Sequence, residues 1–396
     1  MGAELLVARA RGRRGVYRLQ DALADLGCGV GQQVVVVLVG AALLVPYALL
    51  YRRFRLVTFA PGSAWPWLVA FLAVDLGYYW WHRLSHRVNL LWAAHAVHHQ
   101  SEDYNLAVAL RQSMLTTVTS LPFYWPMAVL GVPTAVYAAM VAASTLYQFW
   151  IHTELVGRLG WLERFLNTPS HHRVHHAVNT RYLDRNYGAV LIVWDRLFGT
   201  YEEEREPARY GTTKPFGSFN PAWAQLQPWF EIAERARGLR RRRDRLLIWL
   251  RSPSWLPDGV AAVPEAEILG RGKFSVDVPA RHRTYALVQF APLIAATFAL
   301  LYLHEGAPLG WIVGVAGQML LALISLGALL DGRRWGVPLE LARLALLGAA
   351  VLVWRPAGPW GWAVAAAAVA VALLAVWLLP ASRGGRMGRA AESRVA

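Results

Sequence analysis

Apolar runs of membrane-spanning length recur along this chain, near 33–51, 65–81, 113–130, 132–151, 285–303, 309–330, 337–354 and 360–379. Each is close to the roughly 20 residues a helix needs to cross a bilayer. With 56% hydrophobic residues and 19 Trp in 396, the composition does not suit two or three soluble domains. The fold class expected is all-α, a polytopic integral membrane protein. The residues before the first run do not read as a cleavable leader, so that run would serve as the targeting signal.

Ten of the twelve histidines lie between His82 and His176. His82 and His86 are four apart, His95, His98 and His99 form His-x-x-His-His, and His172, His175 and His176 repeat it, with His152 and His171 beside them. Positions three and four apart are neighbours on a helix, so each cluster can aim several imidazoles at one point. A first-row metal takes at most about six ligands, so nine or ten converging imidazoles imply two ions. An imidazole-rich site suits iron, with zinc and copper as chemical competitors. The lone Cys28 excludes both an internal disulfide and a thiolate metal site.

Each histidine cluster lies just beyond the end of an apolar run. The run ending in Asp75, Tyr78, Tyr79, Trp80 and Trp81 continues directly into His82. A hairpin turning at Gly131 and Pro133 delivers Gln148 and His152, and Thr168-Pro169-Ser170 signals the start of the third helix. Such helices would hold a metal site just beneath the bilayer surface, as a histidine-rich cap that a lipid can enter sideways. A membrane metal transporter is the rival from another class, but its ligands belong in mid-span. His282 and His304 read as structural.

The net charge of +15 is distributed in a way that favours membrane over nucleic acid. The densest run, Arg235 to Arg245, has Trp223, Trp229 and Trp249 around it and reads as a helix on anionic headgroups, or as a determinant of topology. Arg9, Arg11, Arg13, Arg14 and Arg18 precede the first span, Arg333 and Arg334 lie between the sixth and seventh, and Arg383, Arg386 and Arg389 follow the eighth. With these inside, the histidine clusters face the cytoplasm, and the setting expected is a bacterial inner membrane. Arg52, Arg53 and Arg55 then fall outside, which would make the first span re-entrant or tilted. The chain divides into a basic arm with one span (1–60), the histidine core (61–205), a cytoplasmic interfacial segment with little periodicity (206–280) and a C-terminal four-helix membrane unit (281–396). Gly310 and Gly314 form a small-xxx-small pair, a sign of close helix packing.

The ordered motifs His-xxx-His, His-xx-His-His and His-xx-His-His across a membrane hairpin resemble the fatty acid hydroxylase and sterol desaturase superfamily of membrane di-iron oxygenases. The flanks "WAAHAVHHQSEDYNLAVALRQS" (92–113), "FWIHTE" (149–154) and "NTPSHHRVHHAVNTRYLDRNYGAVLIVWDRLFGT" (167–200) are similar to the alkylglycerol monooxygenase subgroup and its bacterial relatives. The likeness runs from about Tyr17 to Pro228. Members of that subgroup carry a further membrane helix before the segment resembling "VYRLQDALADLGCG", so the chain here opens either from a late start codon or without that span.

The resemblance implies ligand roles for His82, His86, His95, His98, His99, His172, His175 and His176, with His152 as an additional ligand. Gln148 matches a position that contacts metal through water, and His171 either ligates or hydrogen-bonds a ligand. It also implies two iron ions, O2, an electron donor (a reductase or tetrahydrobiopterin) and a lipid substrate. Ligand histidines need an acceptor on the other ring nitrogen, and Asp75, Glu102, Asp103, Glu154, Asp184 and Asp195 are near enough in sequence, Asp75 and Glu154 foremost. Arg111 and Gln112 read either as contacts to a pterin or headgroup or as solvated, capping residues. An ether lipid, a sterol, a fatty acid or a carotenoid would each suit these ligands.

Overall fold

The computed structural model describes residues 1–256 and 263–353, with isolated positions between 366 and 377. The eighth span, expected at 360–379, and the arginines after it fall largely or wholly outside the described residues. Among the described residues there is no strand, only isolated bridges Leu166–Leu191 and Ala177–Tyr210.

Helix α1 (Gly2–Ala10) precedes α2 (Leu19–Phe54), a continuous helix of 36 residues. At 1.5 Å per residue α2 is about 54 Å long, far more than a bilayer core needs. Its two halves differ. Asp21 to Val34 are largely buried in protein, whereas Leu38, Val39, Leu44, Val45 and Leu49 are exposed. The first span is therefore the C-terminal half of a longer continuous helix and is not re-entrant.

Helix α3 (Trp65–Arg87) runs past the expected end at 81 by six residues, and these carry His82 and His86. A single extended residue, Val88, separates it from α4 (Asn89–His99). The run expected as one span at 113–130 is instead α5 (Thr116–Ser120), a 3-10 segment (Leu121–Tyr124) and α6 (Trp125–Val129). Pro122 and Pro126 explain the interruption, since neither can donate to an α-helical ladder. Helix α7 (Thr134–Trp150) makes the return arm after the turn at Gly131, whose φ is +91°.

Two short helices follow, α8 (Pro169–His176) and α9 (Val193–Leu197). The 206–280 segment is more ordered than its periodicity indicates. Asn220 caps α10 (Pro221–Gly238) by accepting from the backbone N–H groups of Ala222 and Trp223, with Pro221 in the first turn. The arginine run is not one helix, because α10 ends at Gly238 and α11 (Arg242–Leu247) starts anew. A short α12 (Glu265–Gly270) leads to α13 (Ala280–Leu303), α14 (Leu309–Leu330) and α15 (Gly336–Val353). Among the described residues α2, α13 and α14 are long and apolar enough to cross a membrane.

Packing crosses the boundaries drawn at 60 and 280. Leu23, Val30 and Val34 of α2 share a core with Tyr285 and Phe290 of α13 and Met319 and Leu323 of α14. The start of α2 and the end of α14 meet beside the segment leading into α13, where the Gln20 side chain donates to the carbonyls of Val276 and Leu330. The opposite ends meet too: Leu56 N–H donates to the Val129 carbonyl at 2.8 Å. The segments bearing the nine clustered histidines therefore lie at one end of the apolar helices, whereas His304 caps the far end of α13.

Candidate metal centre

Helix periodicity sorts the nine imidazoles into two groups. His82, His86, His95, His99 and His175 form one, and His98, His152, His172 and His176 the other; within each, one ring nitrogen per residue lies within 4.8 Å of the rest, and all are buried. Each His-xx-His-His motif serves both. On α4 the i, i+4 pair His95 and His99 joins the first group while His98, about 100° round the helix, joins the second. On α8 the assignment is mirrored, with His172 and His176 in the second group and His175 in the first.

Close approaches between nitrogens show the ligand-like geometry. Nε2 of His95 is 3.0 Å from Nε2 of His82 and 3.1 Å from that of His99. Nε2 of His152 is 3.2 Å from Nε2 of His98 and 3.0 Å from that of His172. Adjacent ligands on one ion with metal–nitrogen bonds of about 2.1 Å sit roughly 3.0–3.4 Å apart, so these spacings fit shared cations. Nε2 of His86, His175 and His176 are buried without a hydrogen-bond partner. Buried polar atoms are seldom left so, and the donor set fits a pair of imidazole-binding metals.

The outer nitrogens are held by main-chain carbonyls. Nδ1 of His82 donates to Tyr187 O at 2.9 Å, that of His98 to Arg111 O at 3.0 Å, that of His152 to Gln148 O at 2.7 Å and that of His175 to Arg185 O at 2.9 Å. This fixes the tautomer and leaves Nε2 as the lone-pair donor facing inward. Burial lowers the His98 imidazole to about 4 and that of His175 to about 3, each against a backbone hydrogen bond that pulls the other way. The rings are neutral at ordinary pH, as ligands must be.

Most of the carboxylates expected to do this work do something else. Asp75 accepts from Val190 N, Leu191 N and the Trp194 indole, and Asp195 from Tyr187 N, Gly188 N and the Thr200 hydroxyl. Together they hold the loop whose Tyr187 carbonyl orients His82. Glu154 pairs with Arg13 at 2.9 Å, Glu102 accepts from Phe274 N, and Asp103 pairs with Arg18 and Lys273. Asp184 comes nearest to that role, but its Oδ1 is 3.8 Å from Nδ1 of His86, beyond hydrogen-bond reach, and its Oδ2 is 3.4 Å from Arg87. Gln148 acts through its carbonyl, while its side-chain amide turns back to Ser144. His171 belongs to neither group; its ring meets Tyr201 edge-on at 5.5 Å. Sequence reasoning missed the carbonyls because every residue type carries one.

Arg111 is likewise not free to bind a ligand. Its guanidinium, 1% exposed, donates to Val97 O, Asp25 and Gln100, so it ties the last turn of α4 to α2 while its own carbonyl orients His98. Gln112 donates to Ala109 O.

Two buried histidine groups that could each hold a metal stand at the cap end of apolar helices, and the comparisons supply the class, membrane hydroxylases: a fatty acid hydroxylase model matches residues 67–200. That interval contains all nine convergent histidines. The chain is 40% identical over 337 residues to alkylglycerol monooxygenase of Homo sapiens, covering 82% of this chain and 74% of the relative, and 36% identical over 338 residues to that of Danio rerio, covering 83% and 75%. Ornithine lipid hydroxylase OlsE of Rhizobium tropici is 30% identical over 153 residues, 36% of this chain and 46% of the relative. No solved structure matches. The chain belongs to the fatty acid hydroxylase family, on the branch of the alkylglycerol monooxygenases, and is an oxygen-dependent, lipid-hydroxylating membrane oxidoreductase.

Proposed function

We propose that the protein is a di-iron monooxygenase that hydroxylates an alkylglycerol at the carbon next to its ether oxygen. The product is a hemiacetal, which collapses to a fatty aldehyde and glycerol. The balance is one O2, two electrons and two protons per lipid, giving the hydroxylated lipid and one water, with the electrons from a reductase or tetrahydrobiopterin. Two irons, when bound, would supply an oxidant able to take hydrogen from an unactivated C–H bond, which no side chain can do alone.

The carrying observation is the five-and-four division of nine buried imidazoles, in a chain 40% identical to a named alkylglycerol monooxygenase. His82, His86, His95, His99 and His175 would hold one iron and His98, His152, His172 and His176 the other. Tyr187, Arg111, Gln148 and Arg185 hold four of these rings in the tautomer that ligates. Burial of all nine keeps bulk water from the reacting carbon. The absence of these ligands from the middle of α2, α13 and α14 separates the site from a transport path. The cap is proposed to face the cytoplasm of an inner membrane, as the arginine distribution favours.

Metal analysis of detergent-purified protein, together with lipidomics of cells carrying wild type or His99→Ala, tests the reading. About two irons per chain and accumulation of an alkyl ether in the mutant are expected. Zinc alone, or accumulation of a sterol or free fatty acid with ether lipids unchanged, would overturn it.

A further inference from the structure

Between α3 and α7 lies a cavity of about 140 Å3, walled by Phe71 and Val74 on one side and Met140 and Ala143 on the other. We propose that this gap receives the hydrocarbon chain of the lipid substrate, with Ala143 and Met140 setting its width. The inference rests on the lipid-hydroxylase reading above and adds the route by which the substrate meets the metals.

Its height fits. Val74 of α3 and Tyr137 of α7 pack with Tyr47, which lies in the outer, exposed half of α2, so the gap sits at the level of a membrane-crossing segment. Its direction fits as well. Seven residues beyond Asp75, α3 presents His82 of the five-histidine group; five residues beyond Tyr147, the chain leaving α7 presents His152 of the four-histidine group. The Asp75 and Tyr147 end of the gap is thus about two helical turns or less along the chain from one member of each histidine group, and the proposal carries the alkyl chain across that interval.

The chemistry of the lining selects hydrocarbon. The three polar side chains in its lining are already occupied: both oxygens of Asp75 accept from the 190–194 segment, the Ser144 hydroxyl accepts from Gln148, and the Tyr147 hydroxyl donates to the Asn167 carbonyl. Val74, Asp75 and Ser144 are buried while Ala143 is exposed, so the gap opens sideways, beside outward-facing Leu72 and Leu146. A second cavity, about 180 Å3, is lined in part by Glu102, Glu154, Arg209, Arg271 and Lys273, where an alkyl chain would strip water from charges. An apolar pocket binds by area and shape, so one side chain at its rim can govern the fit.

The test uses the full chain in phosphatidylcholine vesicles with two photoreactive probes, a 1-O-hexadecylglycerol and a palmitic acid, each with a mid-chain diazirine. Labelling of Phe71, Val74 or Met140, lost on adding the matching unlabelled lipid, is expected. Labels confined to outward residues such as Leu72 and Leu146 would overturn the assignment. In parallel, Ala143→Phe should lower kcat/KM at least tenfold for whichever chain is oxidised, with bound metal unchanged, whereas Leu146→Phe stays at the wild-type value. Wild-type kcat/KM in Ala143→Phe would also overturn it. Failure of the ether-lipid reading looks different: the wild type would leave hexadecylglycerol unconsumed while a probe still labels the gap.

Discussion

Arg111 shows how one buried residue can govern the metal site without touching it. Its ion pair with Asp25 is 3.1 Å long, with both side chains at or below 1% exposure. Removing one partner of such a pair leaves an uncompensated buried charge and costs about 3–5 kcal/mol. Arg111→Met should therefore lower the unfolding temperature sharply and release metal, whereas adding Asp25→Leu should recover much of the stability, because both charges are then gone. Differential scanning fluorimetry with metal analysis reads both; equal instability of the single and double variants would refute the ion-pair account. The histidines offer a second prediction at this scale. His98 and His175 titrate at about 4 and 3 when folded, below the ordinary 6.5 of an unfolded imidazole. The unfolded chain thus binds protons first, so stability is intact above about pH 6.5 and declines as pH falls toward 4. Protons compete with metal over the same window. A melting temperature of the metal-free protein that stays flat from pH 7.5 to 4.5 would contradict this. The convergence of the clustered histidines was legible in their spacing, since three- and four-residue intervals need only a helix, whereas His152, outside those clusters, was drawn in only by the family resemblance. Asp25 as the partner of Arg111 was not, because 86 residues separate them and nothing local couples an acid in α2 to a loop after α4.

At the level of elements, close approach at the start of α10 is set by Gly27 of α2 and Gly327 of α14, and not by the Gly310 and Gly314 pair expected in α14. A Cβ on Gly27 would come within 2.5 Å of the Pro221 ring and 3.2 Å of Leu323, whereas Gly310 and Gly314 face open space. Gly27→Ala should cost about 1–3 kcal/mol by overpacking where α10 docks. Gly310→Ala should leave the melting temperature unchanged or slightly raised, because alanine favours the helix. Equal effects of the two would show that the α2–α10 contact is not the tight one. Element existence was largely readable: apolar runs gave α2, α3, α7, α13 and α14, and Thr168-Pro169 gave the start of α8. Element ends were less so. The inner half of α2 reads as a charged arm because Asp21 and Asp25 find their partners only in the folded cap, and Pro122 and Pro126 break a run that hydropathy alone treats as continuous.

At the scale of the whole molecule, every histidine helix, the start of α2 and the end of α14 meet on one side, and the Val57, Gly131 and Gly306 turns lie away from it. This one-sidedness makes orientation a single question for the entire site. The sole cysteine, Cys28, is fully buried against Val97 and Ala224, so Cys28→Ala gives a cysteine-free background without burying a new hydroxyl. Single cysteines at Gly306, in the α13–α14 turn, and at Arg334, in the α14–α15 turn, then report opposite faces. With the cap in the cytoplasm, a membrane-impermeant maleimide should label Gly306→Cys in intact cells and Arg334→Cys only after permeabilisation. The reverse pattern would place the metal centre outside, and the electron donor would then have to be sought in that compartment. It would also make Arg52, Arg53 and Arg55, at the far end of α2, the residues that set topology, against the larger number of arginines near the cap.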